Sequence, residues 1–278
     1  MHYKLTIQAL YLLVGVTVLC SSCNQAELQT FQHSANVYFD LDTNYLKTIP
    51  DSVTYTFAYD MTKAQDTVNL LTRVSGFREG RVRHFRAYIE QDSSTAIAGE
   101  HYEPLKDQYP VPADSGNAFL PLVLYNAADL EDQSVSLIIK LQASDDFGVE
   151  NPRIIRARVV FSARLEQPYW WSMWLGAYSR VKHQLFILVT EQTEMTTEGL
   201  DAPRNTYFAN LLTRMLNNPF SWVADNPEKG YVLEPLTEGT NPNYHFYHRD
   251  NPSRTILLRY SAAAGRHYFI DENGQEVR

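Results

Sequence analysis

From Asn36 to Ala163 apolar and polar residues alternate in short runs, the two-residue period of strands that bury one face. Val37 and Phe39 open the series, and Val53, Tyr55 and Phe57 alternate with Thr54, Thr56 and Ala58. Val68, Leu70 and Val74 mark a third run. Val82, Phe85, Ala87 and Ile89 mark a fourth, with Arg83, Arg86 and Glu90 between them. After a long connection come residues 119–124, 135–141 and 155–161. Seven short strands over roughly 125 residues, punctuated by Gly, Pro, Asp and Asn, predict an immunoglobulin-like β-sandwich. The cysteine pair and core tryptophan of antibody domains are absent from it.

The period changes after Gln167-Pro168. Trp170, Trp171 and Trp174 fall within five residues, and Leu185, Phe186, Leu188 and Val189 prolong an apolar helical face to about Thr190. A second helix is predicted from Pro203 through Tyr207, Phe208, Leu211, Leu212 and Met215, ended by Asn217-Asn218-Pro219. Strand-like runs then return at 231–233, 244–247, 256–260 and 267–270. The chain is thus expected to be mainly β: a sandwich over 36–164 and a small α+β C-terminal region over 165–278.

The N-terminus has its own pattern. Lys4 precedes an almost wholly apolar stretch, residues 5–19, which is shorter than the roughly 20 residues that span a bilayer. Ser21-Ser22-Cys23 then places two small residues before a cysteine and resembles a bacterial lipobox. The expectation is a signal peptide over 1–22, lipid attachment at Cys23, and a polar tether over 23–35. Cys20 is a poorer acceptor because bulky Leu19 precedes it, and an ordinary secretory signal is the alternative. No other cysteine follows, so export brings no disulfide framework.

Composition narrows the partners. Net charge is −8, and loss of Lys4 with the signal peptide makes it −9, which argues against nucleic acid and against anionic lipid bound through a basic patch. Membrane attachment is therefore expected through acyl chains, several of which hold where one does not. With 18 Tyr, 13 Phe and 4 Trp, aromatic side chains are the natural ligand contacts.

Thr95-Ala96-Ile97-Ala98-Gly99-Glu100-His101-Tyr102 is similar to the Thr-Ala-x-x-Gly-x-x-Tyr segment of Calx-beta domains. The resemblance implies that Gly99 turns the backbone and Tyr102 folds back onto the sandwich. Some Calx-beta domains bind calcium, for which Asp92, Glu100, Asp145 and Asp146 are the available carboxylates; the dense acidic clusters of those members are missing, and no metal is expected. The lipobox, the Calx-beta-like segment, and the Pro168-x-x-Trp171 and Leu175-Gly176-x-Tyr178-Ser179-x-x-Lys182 motifs together resemble an uncharacterised Bacteroidota outer-membrane lipoprotein family, a domain of unknown function found beside SusCD-type importers. That resemblance implies an accessory lipoprotein of the outer membrane, assisting capture of glycan or peptide; with only Glu27 acidic just after Cys23 the membrane face stays open, the cell surface favoured over the periplasm.

Catalytic patterns are missing: no Gly-x-Ser-x-Gly elbow, no His-Glu-x-x-His zinc helix and no phosphate-binding glycine loop. Glu100-His101 lacks a second histidine at helical spacing, and His245 and His248 fall on opposite faces of a strand. A glycosidase carboxylate pair leaves no spacing signature, but a sandwich with a small tail has little room for a catalytic cleft. No catalytic residue, cofactor or metal is expected. Trp222, isolated between Ser221 and Val223 in a Pro-flanked loop, is the candidate ligand contact. The Trp170, Trp171 and Trp174 cluster is expected to be structural, packing the tail onto the sandwich. The alternative function is a purely structural subunit of an outer-membrane complex with no ligand of its own.

Overall fold

Each alternating run pairs with another, and a computed structural model describes the result for residues 34–41, 52–150 and 154–278. Cys23, the expected signal peptide and the expected tether up to His33 lie outside the described residues. The sandwich strands are β1 (Asn36–Phe39), β2 (Ser52–Thr56), β3 (Gln65–Ser75), β4 (Arg83–Ile89), β5 (Tyr109–Val111), β6 (Asn117–Tyr125), β7 (Val135–Gln142) and β8 (Arg156–Ser162). They form a three-stranded sheet in the order β1-β3-β6 and a five-stranded sheet in the order β2-β8-β7-β4-β5. All neighbours are antiparallel except β2 and β8. The seven expected strands are present, and the short edge strand β5 is an eighth.

Alternation selects the core. Ala118, Leu120, Leu122 and Leu124 point inward from β6 while Phe119 faces outward. Each buried leucine contributes about 2 kcal/mol. The central strand β7 is buried on both faces through Val135, Ser136, Leu137, Ile138 and Ile139. Where β4 ends, the segment after it takes over the same edge of β7: the Thr95 and Ala96 N–H groups donate to Ser136 O, and Thr95 Oγ1 accepts from Ser136 N. Gly99 then turns at φ +80°, and Tyr102 is buried in the sandwich core.

The C-terminal region contains α1 (Trp171–Trp174), α2 (Arg180–Thr190), α3 (Ala202–Asn217) and α4 (Pro219–Asp225). An antiparallel sheet follows in the order β12-β11-β10-β9, from β9 (Tyr231–Pro235), β10 (Tyr244–His248), β11 (Asn251–Ser261) and β12 (Arg266–Phe269). The apolar face expected to run unbroken to Thr190 is interrupted, because Gly176 adopts φ +71° and Ser179 restarts the helix as its N-cap. Glu272 reinforces that start, accepting from the N–H groups of Arg180 and Val181 at 2.7 and 3.3 Å. The aromatic-rich core of this region is separate from the sandwich core.

The tryptophan cluster packs within this second core. Trp170 meets Phe186 at 5.6 Å between ring centroids, and Trp171 meets Tyr178 and His183 at 5.1 and 4.9 Å. The cluster is structural, but the joint to the sandwich rests on other groups. Glu131, in the turn between β6 and β7, accepts from Arg254 and Gln184, and Arg180 lies 3.2 Å away. Arg254 also reaches Ala127 O, and Asn251 donates to Met61 O and Lys63 O in the connection from β2 to β3. Charge-assisted bonds thus run along the seam, and Met61 adds an apolar contact to the C-terminal core. No helix among the described residues is long and apolar enough to cross a membrane.

Candidate functional site

Trp222 lies on a helix, which corrects the loop expected from its prolines. Pro219 occupies the first turn of α4, where its missing N–H leaves nothing unpaired, so the Asn218-Pro219 step ends α3 and starts the next helix. The indole is half-buried. Its ring rests on aromatic side chains of the sheet, 6.2 Å from Tyr231 and 6.4 Å from Phe246. Those two stack on each other at 4.9 Å, nearly parallel, so the platform beneath Trp222 is rigid.

The opposite side of Trp222 borders an open groove of about 500 Å³. Leu211 and Arg214 line it from one face of α3, Asn218 from the junction between the two helices, and α4 adds Ser221 and Asp225. Asn226 closes one end with its side-chain amide held on Trp222 O at 2.7 Å. The side chains of Arg214, Asn218, Ser221 and Asp225 have no hydrogen-bond or ion-pair partner among the described residues. An apolar ring face is therefore ringed by a guanidinium, a carboxylate, an amide and a hydroxyl, all available. That combination suits a ligand with a flat apolar face and a rim of hydroxyl or amide groups.

The other residues singled out in the sequence fall elsewhere. Asp146 accepts from the His84 N–H at the start of β4, whereas Asp92 follows the end of that strand. Asp145 and Asp146 are thus separated from Asp92 by the length of β4, roughly 20 Å or more. The four carboxylates considered for calcium make no common site. Glu100 and His101 do gain a third potential ligand that spacing concealed, Asp129. However, His101 Nδ1 accepts the Ile97 N–H at 2.9 Å, so Nε2 carries the proton and donates to Asp129 at 3.0 Å. A metal at Nε2 would have to displace that proton and the bond it makes. This buried histidine locks the turn around Gly99.

Arg214, Asn218 and Asp225 were not evident in the sequence. Their helical spacing relative to Trp222 becomes readable only when the chain is allowed to restart a helix at Pro219. Cys23 lies outside the described residues.

Similarity to solved structures is distant. A protein from Bacteroides ovatus ATCC 8483 described as a "putative carbohydrate binding protein" is 14% identical over 47% of this chain and 38% of its own, with a TM-score of 0.34. A two domain protein with unknown function from Bacteroides fragilis NCTC 9343 is 11% identical over 46% of this chain and 45% of its own, also at 0.34. A multidomain protein including DUF1735 from Bacteroides ovatus is 16% identical over 45% and 44%, at 0.31. This chain spans less than half the length of each. No curated protein matches it. The model of the family described as "Domain of unknown function (DUF4843)" matches residues 31–192, more than half of the sequence, and the chain belongs to that family.

Proposed function

We propose that this protein is a non-catalytic, lipid-anchored accessory lipoprotein of the outer membrane that assists a SusCD-type importer in capturing nutrient, glycan before peptide. The observation that supports this reading most is the groove beside Trp222. A sugar ring offers a C–H face that stacks on an indole and a rim of hydroxyls that pair with Arg214, Asp225, Asn218 and Ser221. Half-burial and the Tyr231–Phe246 platform hold the indole in one orientation, which lowers the entropy lost on binding. The anchor is the expected diacylglyceryl group on Cys23, with the cell-surface face as the working side.

Titration calorimetry of the lipid-free 24–278 fragment against a panel of oligosaccharides and peptides tests the reading. Heat of binding to a glycan that disappears in Trp222→Ala supports it. Silence across the panel, together with co-purification of the full lipoprotein with an outer-membrane barrel, would favour the alternative of a purely structural subunit.

A further inference from the structure

A second cavity, of about 360 Å³, opens at the seam between sandwich and C-terminal region. Its walls are the connection from β2 to β3 (Tyr59, Asp60, Met61), the last turns of α2 (Gln184, Ile187, Leu188) and the start of β9 (Tyr231). Its chemistry differs from that of the Trp222 groove. Tyr59 is 53% exposed, a large aromatic ring presented at the mouth. Tyr231 lines the cavity although only 4% exposed, and its hydroxyl has no hydrogen-bond partner among the described residues. Burial, and then the nearby Asp60 carboxylate, push that hydroxyl far above the usual tyrosine range, which keeps it a neutral donor and acceptor.

The charges in the cavity do not balance. Glu191 pairs with Lys229 across the rim, so those two neutralise each other. Lys63, the nearest cation in sequence to Asp60, is bound to Asp66 at 2.6 Å. Asp60 Oδ1 accepts from the backbone N–H and the hydroxyl of Thr62, at 3.0 and 2.6 Å. Its second oxygen has no partner among the described residues, and no cation there lies within ion-pair distance of the half-buried carboxylate, although Lys63 is near enough to feel its charge. Gln184 donates its Nε2 to Glu131, which leaves its side-chain carbonyl oxygen as an acceptor. A carboxylate oxygen, a carbonyl oxygen, a phenol oxygen and an aromatic face are what an ammonium ion seeks, because its three N–H groups need acceptors and its charge is attracted to a ring face.

We propose that this seam cavity is a binding site for a protonated primary amine, seated against Asp60 between Tyr59 and Tyr231 and distinct from the Trp222 groove. Such a group arises on an amino sugar or on a peptide, as a lysine side chain or an N-terminus. The recognition chemistry is shared, and the test separates the sources.

The full-length protein in detergent is titrated with glucosamine and with N-acetylglucosamine, and in parallel with the tripeptide Lys-Gly-Gly and its fully acetylated form. The expected result is saturable binding of at least one free amine with rejection of its acetylated counterpart, weakening as salt rises. Whichever amine binds identifies the source. Asp60→Asn keeps the acceptor that holds Thr62 while removing the charge, and is expected to weaken amine binding by about tenfold or more. Tyr231→Phe is expected to weaken it less, while thermal unfolding of each variant reports that the fold persists. Equal binding of free and acetylated forms overturns the proposal. So does the absence of amine binding at millimolar concentration, or an Asp60→Asn protein that folds and binds as the parent does.

Discussion

Glu131 and Arg254 face each other across the seam, with Arg254 Nη2 donating to Glu131 Oε1 at 2.6 Å, and both side chains are largely withdrawn from water. The same carboxylate accepts from Gln184 and lies 3.2 Å from Arg180, so one acidic residue of the sandwich holds three residues of the C-terminal region. Removing it leaves two guanidinium groups near each other with reduced compensation. Glu131→Ala is expected to lower stability by about 3 kcal/mol. Urea unfolding checks this, and a loss no larger than that of an exposed ion pair would show that the clamp does not hold the seam.

Trp222 and Trp171 separate binding from packing. Trp222→Ala removes a half-buried ring and is expected to cost about 2 kcal/mol, less than a full core deletion, while abolishing glycan binding. Trp171→Ala empties a fully buried position and is expected to cost about 4 kcal/mol. Denaturation curves and calorimetry on the two variants distinguish these roles.

Burial holds the His183 imidazole down to about 4, against an ordinary value of 6.5, because its ring lies among Trp170, Trp171 and Tyr178. The native state therefore binds fewer protons than the unfolded chain between those two values. Stability is complete above about pH 6.5 and falls as pH drops toward 4, by up to about 3 kcal/mol from this group. His183→Phe should flatten that part of the profile in urea titrations run from pH 7 to 4. An unchanged slope would remove His183 as its cause.

Gly230 adopts φ +71°, and a Cβ there would lie 2.5 Å from His248 Nε2. Gly265 has φ +65° with nothing nearby. Gly265→Ala thus measures backbone strain alone, about 1 kcal/mol, and Gly230→Ala adds the steric conflict. Melting temperatures should fall further for Gly230→Ala, and His248→Ala should restore part of the difference. Equal losses at both positions would mean that the ring moves away freely.

The anchor is tested by fractionation. Cys23→Ala is expected to release the protein from membranes into the soluble fraction, and mass spectrometry of the parent to show an acylated N-terminal cysteine. A variant that stays with the membrane would refute lipid attachment as the means of anchoring.

What the sequence determined by itself was whatever depends on near neighbours along the chain. Period-2 alternation marked strands such as β3 and β6, because adjacent side chains on a strand point to opposite faces whatever lies beyond. A 3.6-residue period marked the helix expected from Pro203 through Met215, found at Ala202–Asn217, and alternation marked all four C-terminal strands. Even there, Gly176 and Pro219 carried punctuation that periodicity alone overran, since one ends an apolar face and the other begins a new helix. Only the tertiary structure decided which residues come together: Glu131 with Arg254 and Asp129 with His101 in contact, Asp60 and Tyr231 around one cavity, and Arg214 and Trp222 around another. Those pairs join positions whose separation in sequence has no bearing on their distance in space. Chain topology brings them together, and the desolvation that gives each pair its chemistry exists only once the two cores have formed.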